Sequence, residues 1–169
     1  MSMERRTFPD RAEYRLLLKV LLTQDGSTTR ICEVLSGTPV NVIVHRQVRT
    51  NEVPGAVRRQ LGGERWLERV TSLCSDAGVL MDNLSYTRLD TVPDGFLGEL
   101  DQGVAPIGHL LKRLYVRRVP AQADADVEAR LWDVVGLPDA TASRAYRILA
   151  PQGPFIYIFE TFRGGLVRA

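Results

Sequence analysis

Apolar positions recur along the chain with two different periods, and the switches between them mark its elements. Over Asp10–Leu22, Tyr14, Leu17, Leu18, Leu21 and Leu22 fall three and four apart, which predicts an amphipathic helix. Asp25-Gly26-Ser27 ends it, and Asp25 or Ser27 is placed to cap a second short helix reaching about Leu35. Beyond the turn Ser36-Gly37-Thr38-Pro39, the β-branched run Val40–Val48 reads as a strand. Pro54 suits the first turn of a short helix ending near Gly62-Gly63.

Trp66–Cys74 and Val79–Leu89 are strand-like, and Asp76-Ala77-Gly78 between them predicts a hairpin. Pro93-Asp94-Gly95 introduces a helix over Phe96–Leu100. Pro106-Ile107-Gly108 starts another through Leu111, with a strand near Leu114–Val119. Ala121–Ala129 is polar, acidic and alanine-rich and reads as part of a surface helix reaching Val135. Ser143–Ala150, Pro151-Gln152-Gly153 and Pro154–Phe162 make a second hairpin, and Gly164-Gly165 reads as a tail turn. Hairpins interrupted by short helices predict an α+β fold, an antiparallel sheet with helices on one side or at its ends.

Strand alternation then singles out misplaced charges. In the last strand Glu160 shares its face with Ile156, Ile158 and Phe162. Arg69 shares a row with Leu67, Thr71 and Leu73, and Arg46 one with Val42, Val44 and Val48. A buried charge must pair, neutralise or face a polar ligand. Two readings stay open at this level: a structural ion pair, or a pocket in which a carboxylate and an arginine hold a small polar ligand.

Bulk properties narrow the classes. The 169 residues are read as one domain, 1–169, and the 44% hydrophobic and 25% charged composition excludes fibres and disorder. A formal charge of +2 gives no electrostatic case for a nucleic-acid partner. Cys32 and Cys74 lack metal-ligand spacing and read as small core hydrophobes. His45 and His109 read as hydrogen-bonded structural residues. The N-terminus has no secretory pattern and no apolar run approaches the ~18 residues of a membrane helix, so the expectation is a cytoplasmic protein without a membrane partner. No GxGxxG, P-loop, HExxH or GxSxG motif occurs, so no metal or nucleotide cofactor is expected.

Four segments together resemble the chorismate pyruvate-lyase family: Asn51-Glu52-Val53-Pro54, Trp66-Leu67-Glu68-Arg69-Val70, Pro106-Ile107-Gly108-His109-Leu110-Leu111, and Ser143-Arg144-Ala145-Tyr146-Arg147 through Phe162. The likeness runs from about Leu17 to Phe162. It implies an antiparallel sheet of about six strands, with helical flaps over an internal ligand site. It implies further that Arg69 and Glu160 hold an aromatic acid, with Glu160 the catalytic acid or base. Ile107 then contacts the ligand carboxylate through its backbone, and Ser27 falls near another such contact. His109 stands where the family pattern has arginine, and the acidic stretch 121–133 has no counterpart in it. The implied activity is cofactor-free elimination of pyruvate from chorismate to give 4-hydroxybenzoate. A stand-alone small-molecule-binding module is the main rival, since effector-sensing domains of some transcription regulators resemble the same fold; they normally follow a DNA-binding winged helix, for which no room precedes the first strand, and this favours an enzyme. A related enzyme acting on another cyclic or aromatic acid is the second.

Overall fold

The computed structural model describes residues 3–103 and 105–167. Two helices, α1 (Ala12–Thr23) and α2 (Thr28–Ser36), precede strand β1 (Asn41–Thr50). Ser27 caps α2, its hydroxyl accepting from the Arg30 N–H, and Gly37 closes the helix with φ of 69°. Then come α3 (Gly55–Leu61), the hairpin β2 (Trp66–Ser75) and β3 (Gly78–Arg88), and the short helices α4 (Phe96–Asp101) and α5 (Ile107–Leu110). Strand β4 (Arg117–Ala121), helix α6 (Ala125–Val135) and the hairpin β5 (Ser143–Ala150) and β6 (Gly153–Phe162) complete the order.

The six strands form one sheet in the order β1-β2-β3-β6-β5-β4, antiparallel throughout. The α+β architecture and the strand number therefore match expectation. Both faces of the middle strands are covered, so β2 is buried along its whole length despite carrying Glu68 and Arg69. One face packs on α3 and α6 through Val57, Leu61, Val127 and Leu131. The other packs on α4 and α5 through Phe96, Leu100, Ile107 and Leu110 at one end, and on Leu21 and Cys32 of α1 and α2 at the other.

Four expectations need correction. The β4 strand begins at Arg117 because a 3₁₀ turn, Leu111–Arg113, extends α5 and delays the extended chain. Helix α6 ends at Val135 and keeps an exposed face, but it is more than a surface element: Val127, Leu131 and Val135, four residues apart, bury its other face under the sheet. Gly164-Gly165 is no loose tail but a buried 3₁₀ turn, in which a Cβ on Gly165 would lie within van der Waals overlap of the Val79 carbonyl. Finally, β1 does not alternate uniformly. Its register against β2 shifts between Val44 and Arg46, a bulge at His45 that turns Arg46 to the face opposite Val44.

That bulge resolves one charge. Arg46 reaches Glu68 at 2.9 Å, and the carboxylate also receives Arg130 at 3.0 Å and the Tyr86 hydroxyl at 2.9 Å. Glu68 thus carries a structural ion-pair cluster of its own, on a charge that the alternation argument did not single out. On the same face Asp82 binds Arg163, both side chains wholly buried. Ser72, His45 and Asp82 adjoin there as well, with the Ser72 hydroxyl donating to Asp82. The histidine therefore cannot take that proton, and the trio is a structural hydrogen-bond chain rather than a nucleophilic triad.

Candidate functional site

Cross-strand register decides which faces the remaining charges share. Arg69 lies opposite Ser85, Ser85 opposite Ile158, and Glu160 follows two residues along the same strand. Directly opposed residues share a face, so Arg69 and Glu160 project to the same side of the sheet. Their strands are separated by β3 alone, two strand spacings or roughly 10 Å. Arg144 sits directly opposite Glu160 on β5, and Arg118 opposite Ile148, again on that side.

A cavity opens between this face and the helices above it. Its floor includes Arg69, Thr71, Asn83, Arg118, Tyr146, Ile158 and Glu160; its roof is made by Thr28 and Thr29 of α2 and by Pro106, Ile107 and Gly108 at the start of α5. Of the residues singled out from the sequence, Arg69, Ile107 and Glu160 come together here. Ser27 does not line the cavity; its hydroxyl is occupied in capping α2, and the next two residues, Thr28 and Thr29, reach the cavity. Arg46 lies on the other face. Both histidines are hydrogen-bonded, His45 to Ser72 and His109 to Glu33. Cys32 and Cys74 are buried free thiols, and burial, helped by the Glu160 charge, pushes Cys32 far up from its ordinary range.

Glu160 is wholly buried and held by three donors. Arg144 Nε donates to Oε1 at 2.7 Å, the Thr28 hydroxyl to Oε1 at 3.1 Å, and the Tyr146 hydroxyl to Oε2 at 3.1 Å. Arg144 also donates to Thr28 Oγ1 and to the Gln24 carbonyl, and its guanidinium lies 4.8 Å from the Tyr146 ring centroid. Burial and then the Glu160 charge raise the Tyr146 pKa well above the phenol range, so its proton stays in place as a donor.

Arg69 is the opposite case. Only 1% exposed, among the described residues it meets main-chain carbonyls alone: Gly103 at 3.1 Å and Ala105 at 3.4 Å. Among the described residues its Nε has no partner and no carboxylate pairs with it. Burial lowers its pKa to about 10. The cavity therefore combines a satisfied carboxylate with a buried cation lacking an anion, an arrangement suited to a small carboxylic acid.

Arg144, Tyr146 and Thr28 were not anticipated as site residues. Alternation within Ser143–Ala150 places Arg144 and Tyr146 on one face, which was a usable signal; Thr28 depends on how α2 docks and had none. Among the described residues no group of three or more His, Cys, Asp and Glu could hold a metal ion, and no helix is long and apolar enough to cross a membrane.

No curated protein matches the chain in sequence. Solved structures do match in shape. PhnF from Mycobacterium smegmatis is 15% identical with a TM-score of 0.54, covering 99% of this chain and 91% of that one. The C-terminal domain of the histidine utilization repressor from Pseudomonas syringae is also 15% identical, with a TM-score of 0.49 over 77% of this chain and 95% of that one. A GntR-family transcriptional regulator from Bacillus cereus follows at 10% identity and 0.48, over 77% and 95%. The likeness to PhnF is one of fold. The family model for Rv2949c-like chorismate pyruvate-lyases matches residues 22–169, a span holding every strand and the whole cavity, and the chain belongs to that family.

Proposed function

We propose that the protein is a lyase that eliminates pyruvate from chorismate to give 4-hydroxybenzoate. The observation that carries this reading is Arg69, a buried guanidinium lining a cavity and lacking a carboxylate partner among the described residues. Such a charge is costly to bury, and a bound carboxylate would offset that cost. Arg69 takes the ring carboxylate, aided by the main-chain N–H of Ile107, which opens α5 and so has no acceptor within the helix.

Glu160 then meets the ring hydroxyl. The proton on the hydroxyl-bearing carbon leaves, and the neighbouring ether C–O bond breaks with its electron pair going to oxygen. The released enolpyruvate takes up a proton on carbon to become pyruvate. Formation of the aromatic ring supplies much of the driving force, so the reading assigns no cofactor. Glu160 moves the proton as acid or base, while Arg144, Thr28 and Tyr146 fix its position.

The test is incubation of purified protein with chorismate, following pyruvate and 4-hydroxybenzoate together. Glu160→Gln keeps an acceptor for Arg144 and is expected to fold normally while losing about a hundredfold or more in turnover. Full activity in that variant removes Glu160 from the chemistry. The three donors already on Glu160 favour a second reading, a binding module for an aromatic acid, since they leave the carboxylate satisfied as a wall of the site. Tight binding of 4-hydroxybenzoate with no pyruvate released from chorismate selects that reading.

A further inference from the structure

The proposed reaction leaves Arg118 without a task, although it lines the same cavity. Arg118 also lines a second cavity, bounded by Leu22–Asp25 at the end of α1 and by β4 and β5. It shares that double position with Tyr146, so these two side chains lie between the two spaces. Like Arg69, Arg118 has a buried Nε without a partner and no ion pair among the described residues. Its charge is felt by the Tyr146 hydroxyl, where it opposes the larger effects of burial and Glu160. Asp25 is the acidic residue on the second cavity; it is exposed and forms no ion pair with Arg118 among the described residues.

A charge balance of the first cavity follows. Its lining holds two guanidiniums, Arg69 and Arg118, and one carboxylate, Glu160; that carboxylate is already matched by Arg144 just behind it. Two cations are left over, on different strands, one of them also lining a second space. A monocarboxylate neutralises only one of them. We propose that Arg118 is a specificity-determining residue that binds a second carboxylate, so that the site selects a dianion whose side arm lies toward the second cavity. This rests on the lyase reading and deepens it, because chorismate carries one carboxylate on its ring and one on its enolpyruvyl arm, whereas 4-hydroxybenzoate retains only the first.

The experiment compares the two ligands by equilibrium titration in the Glu160→Gln background, where turnover of chorismate is expected to be at least about a hundredfold slower. Adding Arg118→Met is expected to weaken chorismate by about ten- to a hundredfold, the loss of a charge-assisted hydrogen bond, and 4-hydroxybenzoate by no more than about twofold. Arg118→Lys restores part of the chorismate affinity, while Arg69→Met weakens both ligands alike. Equal losses for the two ligands in Arg118→Met, or no loss for chorismate, overturn the assignment. The difference between ligands is read from binding alone, so a failed lyase assay refutes the proposed reaction and leaves the result for Arg118 standing.

Discussion

Arg69 shows how a single side chain can set a pH limit for the whole site. Burial acts against its charged form and brings its pKa down to about 10. The sign is that of a cation with a depressed folded pKa. Between about 10 and the ordinary arginine value the unfolded chain holds more protons, so this group's burden on stability is relieved as pH rises through that window. Binding runs the other way, because a bound carboxylate favours the charged form. Affinity for benzoate, which has no phenol to titrate in this range, is therefore expected to stay flat from neutral pH to about 9, then fall about tenfold per unit above 10. Titration calorimetry across that range checks it, and an affinity unchanged at pH 11 removes Arg69 from carboxylate recognition. Glu68 makes the contrast: equally buried and one residue away, it is matched by Arg46, Arg130 and Tyr86 and has no charge left for a ligand.

Among the elements, α2 and α5 act together. Each contributes to the cavity roof, and His109 of α5 hydrogen-bonds Glu33 of α2 at 3.0 Å. Their approach depends on Gly108, where an added Cβ would lie 2.8 Å from Thr29 Cβ and closer still to its hydroxyl. Gly108→Val is expected to separate the two helices, weakening 4-hydroxybenzoate binding more than tenfold while the urea midpoint moves little, since the sheet is untouched. Retained affinity in that variant would show that closure is not needed.

The same pair marks the boundary of what the sequence makes legible. Periodicity and turn residues place α1, α2 and both hairpins nearly at their observed ends, because local chemistry determines them. Alternation also picks out Glu160 and Arg69, because each strand sorts its own side chains. The partner of Glu160 is another matter: Arg144 is identified by register between β5 and β6, which no single strand encodes. Nor does β1 reveal that one extra residue at His45 reverses the side on which Arg46 emerges.

At the scale of the molecule, the two ends of the described chain brace the sheet. The Gly164 N–H donates to the Arg6 carbonyl and the Arg163 N–H to that of Leu80, which draws the C-terminal turn onto the start of β3. Gly165 permits this contact, since its Cβ position lies within 3 Å of the Val79 carbonyl carbon and oxygen, main-chain atoms that cannot rotate aside. Gly165→Ala is expected to cost about 1–3 kcal/mol in urea unfolding. A loss below about 0.5 kcal/mol would mean that the turn yields and does not brace the strand.

The bulge in β1 has a bearing on how molecules meet in solution. The sheet ends in two open edges, and β4 is guarded by its shortness and by Pro120, which offers no N–H. Strand β1 has ten residues and would be the better template for a foreign strand. The displacement at His45 divides it, so that a straight neighbour can pair in one register with residues 41–44 or with 46–50, never with both. The residue that sends Arg46 to Glu68 thereby also interrupts the surface on which edge-to-edge aggregation would grow.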